Sequence, residues 1–296
     1  MQIGLVDEAL TLDANAPDRV RNGAPNREFK RLFVDDAPDG FNFWFFRSAH
    51  KDVGEDGFKA PRHNHTFQQI QFIEEGERDW APGQYITKGM LAYMPRGVYY
   101  GPQNQVTPVT AWGFQYGFGG ELQRGDFWES HRAAALESLK ARGKIENGLY
   151  IETDSATGKV TTRDAMDALY DERYFMVRGE HLVIPPARYE MPIIIQPDNF
   201  EYFQAGPGVE IKQLGRFFDQ NGPNGDVSMA VVRLSGGTYP LRADRPQVAW
   251  TLSAGMEAEG RTLPERAAVY SPRGEDGEIG GKDGIEVFVV EFPRLD

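Results

Sequence analysis

Gly57-Phe-Lys-Ala-Pro-Arg-His63-Asn-His65-Thr-Phe-Gln-Gln69-Ile-Gln71-Phe-Ile-Glu-Glu-Gly76 is the stretch that decides the reading of this chain. Two histidines stand one residue apart, behind a proline and between framing glycines. In an extended segment successive side chains alternate between faces, so His63 and His65 point the same way. The chain has 296 residues and only 5 histidines. Imidazole is a common ligand for Zn, Fe, Ni and Cu. The pair therefore marks a candidate metal centre.

Extended geometry limits which neighbours can join it. Residues 65 and 69 of one straight strand would lie roughly 13 Å apart, at about 3.3 Å per residue. Gln69 reaches the same ion only if Thr66-Phe-Gln68 bends the chain back. In the strand that would follow, Gln69, Gln71 and Ile73 share a face, so Gln71 is a second candidate for a pocket wall. Downstream comes Gly89-Met-Leu-Ala-Tyr-Met-Pro95-Arg-Gly97-Val-Tyr-Tyr100-Gly-Pro-Gln-Asn104, again punctuated by glycine and proline.

The first stretch recurs. Pro61 to Gly76 aligns without a gap on Pro240 to Gly255, with Gly57 on Gly236, and Ala92-Tyr-Met-Pro-Arg-Gly97 returns as Val269-Tyr-Ser-Pro-Arg-Gly274. In that alignment Arg242 and Asp244 take the histidine positions and Val248 the Gln69 position. A repeat of this kind predicts two copies of one β-unit.

Both stretches resemble the two motifs of the cupin superfamily. Its first motif is Gly, five residues, His-x-His, three or four residues, Glu, six residues, Gly. Gly57, His63, His65 and Gly76 match it, with Gln69 in the Glu position. Its second motif is Gly, five residues, Pro, one residue, Gly, two residues, His, three residues, Asn. Gly89, Pro95, Gly97 and Asn104 match it, with Tyr100 in the His position. The resemblance implies an all-β chain of two double-stranded β-helix barrels. It also implies the bend that brings Gln69 to the head of the next strand. It implies a divalent metal, Fe(II) favoured over Mn, Ni or Zn, held by His63, His65 and Gln69. Tyr100 then serves as hydrogen-bond or proton donor. A metal is expected in the first barrel only.

The rest of the chain fits this plan. Residues 41–46, 111–118 and 286–292 read as strands, and Trp112, Phe114, Tyr116 and Phe118 alternate onto one face. Trp112 and Phe114 are candidate pocket residues, with plain core packing as the other reading. Residues 128–142 and 162–174 read as helices around a hairpin. The expected organisation is a barrel over 1–120, connecting helices and hairpin over 121–200, and a degenerate barrel over 201–296 that serves packing or dimerisation. The glycine-rich run 274–284 lacks the spacing of a phosphate-binding loop and reads as a solvated loop.

Composition excludes other classes. With 32 Lys and Arg against 44 Asp and Glu the formal charge is −12, which disfavours nucleic acid and anionic membranes as partners. There is no cysteine, so a metal must be held by nitrogen or oxygen. Residues 1–8 lack a basic segment before an apolar one, so a cytoplasmic location is the expectation. With the cupin resemblance, three functions are expected. The favoured one is a metal-dependent dioxygenase acting on a small aromatic or diketone-like compound. The second is a metal-dependent isomerase or lyase. The third is a non-catalytic small-molecule binder.

Overall fold

The computed structural model describes residues 1–12, 20, 27–35, 43–51, 57–116, 125–184, 186–218 and 226–292. Phe41, Asn42 and Phe118, expected in strands, lie outside them. The described residues are mainly strands and turns, with two α-helices among them in the middle of the chain. It divides into two compact units, one of residues 11–29 and 34–194, the other of residues 1–10, 30–33 and 195–296.

In the first unit four antiparallel strands lie in the order Leu91–Met94, Gln68–Ala81, Val109–Tyr116, Phe43–His50. Residues directly opposed in such a ladder share a face. Gln69 lies opposite Met94 and Gln115, and Ile73 opposite Ala111, which faces Ser48. That face holds the buried apolar cluster of Ile73, Ala92, Met94, Val109 and Ala111. A second wall pairs Lys59–Ala60 with Gln103–Asn104, and Gln84–Thr87 with the far half of the long Gln68–Ala81 strand. The two walls close a barrel around this cluster, which Trp80, Ile86, Val98 and Tyr100 complete.

The long strand changes walls at Gly76. Its φ of +76° suits glycine, and a Cβ there would sit 2.1 Å from the Pro108 carbonyl oxygen. The ladder shifts register beside it, between Thr110 and Ala111. Such an irregularity reverses the in–out alternation. Before Gly76 the odd residues Gln69, Gln71 and Ile73 face the barrel. After it the even residues Arg78 and Trp80 do.

Helices Gly125–Arg142 and Ala165–Arg178 belong to this unit, with a three-stranded sheet of Gly143–Glu146, Leu149–Thr153 and Val160–Asp164. The second helix starts later than the apolar periodicity predicts, because residues 160–164 complete the sheet. Asp164 caps it by accepting from the Met166 and Asp167 amides at 2.9 and 3.0 Å. Gly179 ends it in the left-handed region. Leu139 and Leu169 are fully buried between the helices and the sheet, worth about 1.5–3 kcal/mol each.

The second unit repeats the strand order. Ala267–Ser271, Gln247–Trp250, Ile285–Glu291 and Asp226–Leu234 lie side by side, all antiparallel. Its other wall pairs Thr238–Leu241 with Gly277–Gly280. The run expected to be a solvated loop therefore contains a strand, with Ile279 fully buried. The opening strand Gln2–Leu5 pairs with Ala267–Ser271. This corrects its expected place in the first barrel. A short edge strand is claimed by whichever sheet offers free backbone groups, and local sequence does not name that sheet.

The hydrogen bonds also correct the repeat by one residue. Gly97 and Gly274 both follow Pro-Arg and both have positive φ. Gly97 donates to the His65 carbonyl at 2.9 Å, and Gly274 to that of Ala243 at 2.8 Å. Gln69 lies opposite Met94, and Gln247 opposite Ser271, each partner just before the shared proline. The equivalents of His63, His65 and Gln69 are thus Leu241, Ala243 and Gln247, in place of Arg242, Asp244 and Val248. Leu241 belongs to an apolar cluster that fills this barrel, with Val232, Ala249, Met256, Val269, Ile279 and Val289. Asp244 pairs with Arg245 at 3.4 Å.

Candidate active site

The site is built where the first motif meets the second. His63 and Tyr100 form an isolated antiparallel bridge, each amide donating to the other's carbonyl at 3.0 Å. Direct opposition puts both side chains on one face. Their ring centroids are 4.4 Å apart. His65, two residues along the same face, lies 4.9 Å from His63 and 5.7 Å from Tyr100. Phe67 stacks on His65 at 4.3 Å, with an interplanar angle of 12°. All three site rings are buried. The chain then bends at Thr66 and Phe67, and Gln68 opens the next strand.

Nδ1 of His63 sits 2.6 Å from the Pro61 carbonyl oxygen. A carbonyl only accepts, so this nitrogen carries the hydrogen and Nε2 keeps the lone pair. Imidazoles that bind metals are held in this way. The residues thus offer an ion two adjacent imidazoles and, from Tyr100, a phenol. Among the described residues no group of three or more His, Asp or Glu side chains is placed to hold one. A divalent ion here would have the His63 and His65 imidazoles as its nitrogen donors, with its other positions open.

Gln69 stands at the strand head as expected, but its amide is engaged. Oε1 accepts from Gln115 Nε2 at 2.9 Å, and Nε2 lies 3.2 Å from Met94 Sδ. The other barrel keeps glutamine at the same place, where Gln247 donates to the Arg242 carbonyl at 2.8 Å. There the two imidazole positions are leucine and alanine, so this glutamine serves the barrel without a histidine pair. Gln71 faces the barrel and is buried.

Trp112 and Phe114 are not pocket residues. They share a face with Phe45, whose ring stacks on both at 5.5 and 4.3 Å. Trp112 Nε1 donates to Glu74 at 2.9 Å, and Arg47 holds the same carboxylate. All of these sit on the sheet face opposite Gln71 and Ile73. The alternation at 112 and 114 is real, but it points away from the barrel.

The sequence reading missed three polar residues on the barrel side, Arg78, His50 and Ser48. Arg78 Nη1 donates to Gln71 Oε1 at 2.9 Å. Burial lowers the pKa of its guanidinium, opposed by neighbouring Tyr100 and Asp79. His50 and Ser48 come from the Phe43–His50 strand, opposite Val109 and Ala111. Burial, then Arg27 and Arg78, push the His50 imidazole down to about 2. Asp79 accepts from the Asn104 amide, and Gln103 and Gln105 bond the backbone at 79 and 77. That network ties the two strand pairs of the second wall to each other. No local pattern announces Arg78, because its orientation depends on the irregularity at Gly76.

No family model matches the chain, and no curated protein matches it. Solved structures do. A candidate dioxygenase from Nostoc punctiforme is 14% identical, with a TM-score of 0.59 over 99% of this chain and 82% of that one. GK1651 from Geobacillus kaustophilus is 8% identical, with a TM-score of 0.53 over 100% and 96%. A variant of oxalate decarboxylase from Bacillus subtilis is 10% identical, with a TM-score of 0.50 over 100% and 78%. Together with the repeated strand order, these likenesses establish an all-β, two-barrel cupin fold. No helix among the described residues is long and apolar enough to cross a membrane.

Proposed function

We propose that the chain is a metal-dependent cupin-fold enzyme whose N-terminal barrel acts on a small organic molecule. The convergence of His63, His65 and Tyr100, with His63 fixed through the Pro61 carbonyl, carries this reading. His63 and His65 would hold a divalent ion, Fe(II) favoured, with Mn, Ni and Zn as alternatives. When bound, Fe(II) supplies the redox chemistry of a dioxygenase acting on an aromatic or diketone-like compound. The likeness to the Nostoc protein supports that choice.

The chain's own side chains have separate tasks. The backbone bridge holds the Tyr100 ring beside both imidazoles, and its hydroxyl would donate a hydrogen bond or a proton to substrate. Phe67 covers one face of His65 and keeps water off it. Gln69 braces the adjoining strands, and Gln71 faces the substrate. The C-terminal barrel, filled with apolar side chains, serves packing or dimerisation.

A second reading rests on the donor set. Two neutral imidazoles leave the ion its full positive charge, which suits a Lewis acid polarising a carbonyl in an isomerase or lyase. Oxygen consumption separates the two. Purified protein turning over a diketone or catechol panel takes up dioxygen if it is a dioxygenase. Turnover at an equal rate without oxygen favours the isomerase or lyase.

A further inference from the structure

The protein is acidic overall, at −12, yet an arginine side chain bonds to a glutamine that faces the N-terminal barrel. Arg78 is turned inward by the irregularity at Gly76 and donates to Gln71. Among the described residues it makes no ion pair; the adjacent Asp79 carboxylate accepts from the Asn104 amide. Around it the barrel face holds polar groups in need of partners. His50 is 3% exposed and Ser48 1%. Neither ring nitrogen of His50, nor the Ser48 hydroxyl, has a hydrogen-bond partner among the described residues. Buried polar groups are usually satisfied. A cation with donors left over, beside a hydroxyl and an imidazole, matches an anion with several acceptor oxygens.

We infer that Arg78, with Gln71, Ser48 and His50, receives the carboxylate of the substrate and orients its reacting end toward His63, His65 and Tyr100. The inference rests on the N-terminal barrel being the substrate site. It narrows the substrate class to small organic acids. The guanidinium fork takes both carboxylate oxygens, and the Ser48 hydroxyl and an imidazole N–H of His50 complete the shell. A neutral compound of the same shape would leave the remaining Arg78 N–H donors without acceptors, so the wall selects against it.

Calorimetric titration with benzoate and with the uncharged benzamide tests this, using the protein as purified. Benzoate is expected to bind saturably and benzamide at least tenfold more weakly. Arg78→Gln should weaken benzoate about ten- to hundredfold, the loss of a hydrogen bond to a charged group. Gln71→Glu keeps the arginine but gives it an internal carboxylate, and should weaken benzoate similarly. This second variant covers the case in which Arg78→Gln fails to fold. The double variant His63→Ala with His65→Ala should keep benzoate affinity within a few-fold. Equal affinity for benzoate and benzamide, no saturable benzoate binding, or unchanged affinity in both Arg78→Gln and Gln71→Glu would overturn the inference. Binding lost only in the double histidine variant would place the anion on the ion, overturning it while sparing the metal reading. Arg78-dependent binding in protein that holds no metal would do the reverse.

Discussion

His63 and Tyr100 oppose each other across a single antiparallel bridge, their rings 4.4 Å apart. The backbone rather than a side-chain contact sets this distance, so substitution of either ring leaves the other in place. Tyr100→Phe removes the hydroxyl and keeps the ring. It is expected to retain most of the metal and to lose about a hundredfold or more in turnover, within the range for a positioned proton donor. Metal analysis beside kinetics decides the assignment. Loss of metal in Tyr100→Phe would make the tyrosine a ligand.

His50 makes stability depend on pH. Its imidazole ionises at about 2 in the folded chain, against an ordinary value of 6.5. Below 6.5 the unfolded chain therefore binds a proton that the folded chain refuses. The contribution is complete above that pH and is lost as pH falls, by at most roughly 1.4 kcal/mol per pH unit. Urea midpoints taken between about pH 7 and pH 5 should fall more steeply for the native sequence than for His50→Gln. Parallel slopes would mean that His50 is protonated in the fold.

Trp112 separates packing from chemistry. It is fully buried on the outer face of its sheet, against Phe45 and hydrogen-bonded to Glu74. Trp112→Ala is expected to cost about 3–5 kcal/mol in urea unfolding. The metal content of the remaining folded protein should be unchanged. A pocket role would show the opposite: small destabilisation and altered substrate affinity.

The two glycines on either side of Trp80 are not equivalent. Gly76 and Gly83 both have positive φ, but only at Gly76 would a Cβ meet backbone, while nothing lies within 4 Å at Gly83. Gly83→Ala should cost about 1–2 kcal/mol for the left-handed conformation alone. Gly76→Ala must also displace the Pro108 carbonyl and should cost more. It should also disturb the inward placement of Arg78. Equal unfolding midpoints for the two variants would remove the steric account of the wall change.

These faces explain what was legible in the sequence. The spacing of His63, His65, Pro95 and Gly97 is local, and it gave the barrel, the imidazole pair and the place of Tyr100. The repeat was visible because its glycines and prolines survive. Its register was not, because an ungapped alignment carries no hydrogen bonds, and a shift of one residue exchanged Leu241 and Ala243 for Arg242 and Asp244. Alternation at Trp112 and Phe114 identified a shared face without saying which side of the sheet it was. Arg78 and His50 were invisible for a related reason. Their directions follow from a register shift at Gly76 and from strand pairing across tens of residues. The strand Gly277–Gly280 was too short to show a period, and the partner of Gln2–Leu5 lies at the far end of the chain.

The central claim is that the N-terminal barrel holds one divalent ion through His63 and His65. Elemental analysis of protein purified without an affinity tag, beside the double variant His63→Ala with His65→Ala, tests it most directly. The account predicts close to one equivalent of metal per chain in the native sequence and almost none in the double variant, with Gln69→Ala retaining most of it. Full occupancy in the double variant, or a native chain that takes up no divalent metal on reconstitution, would contradict it.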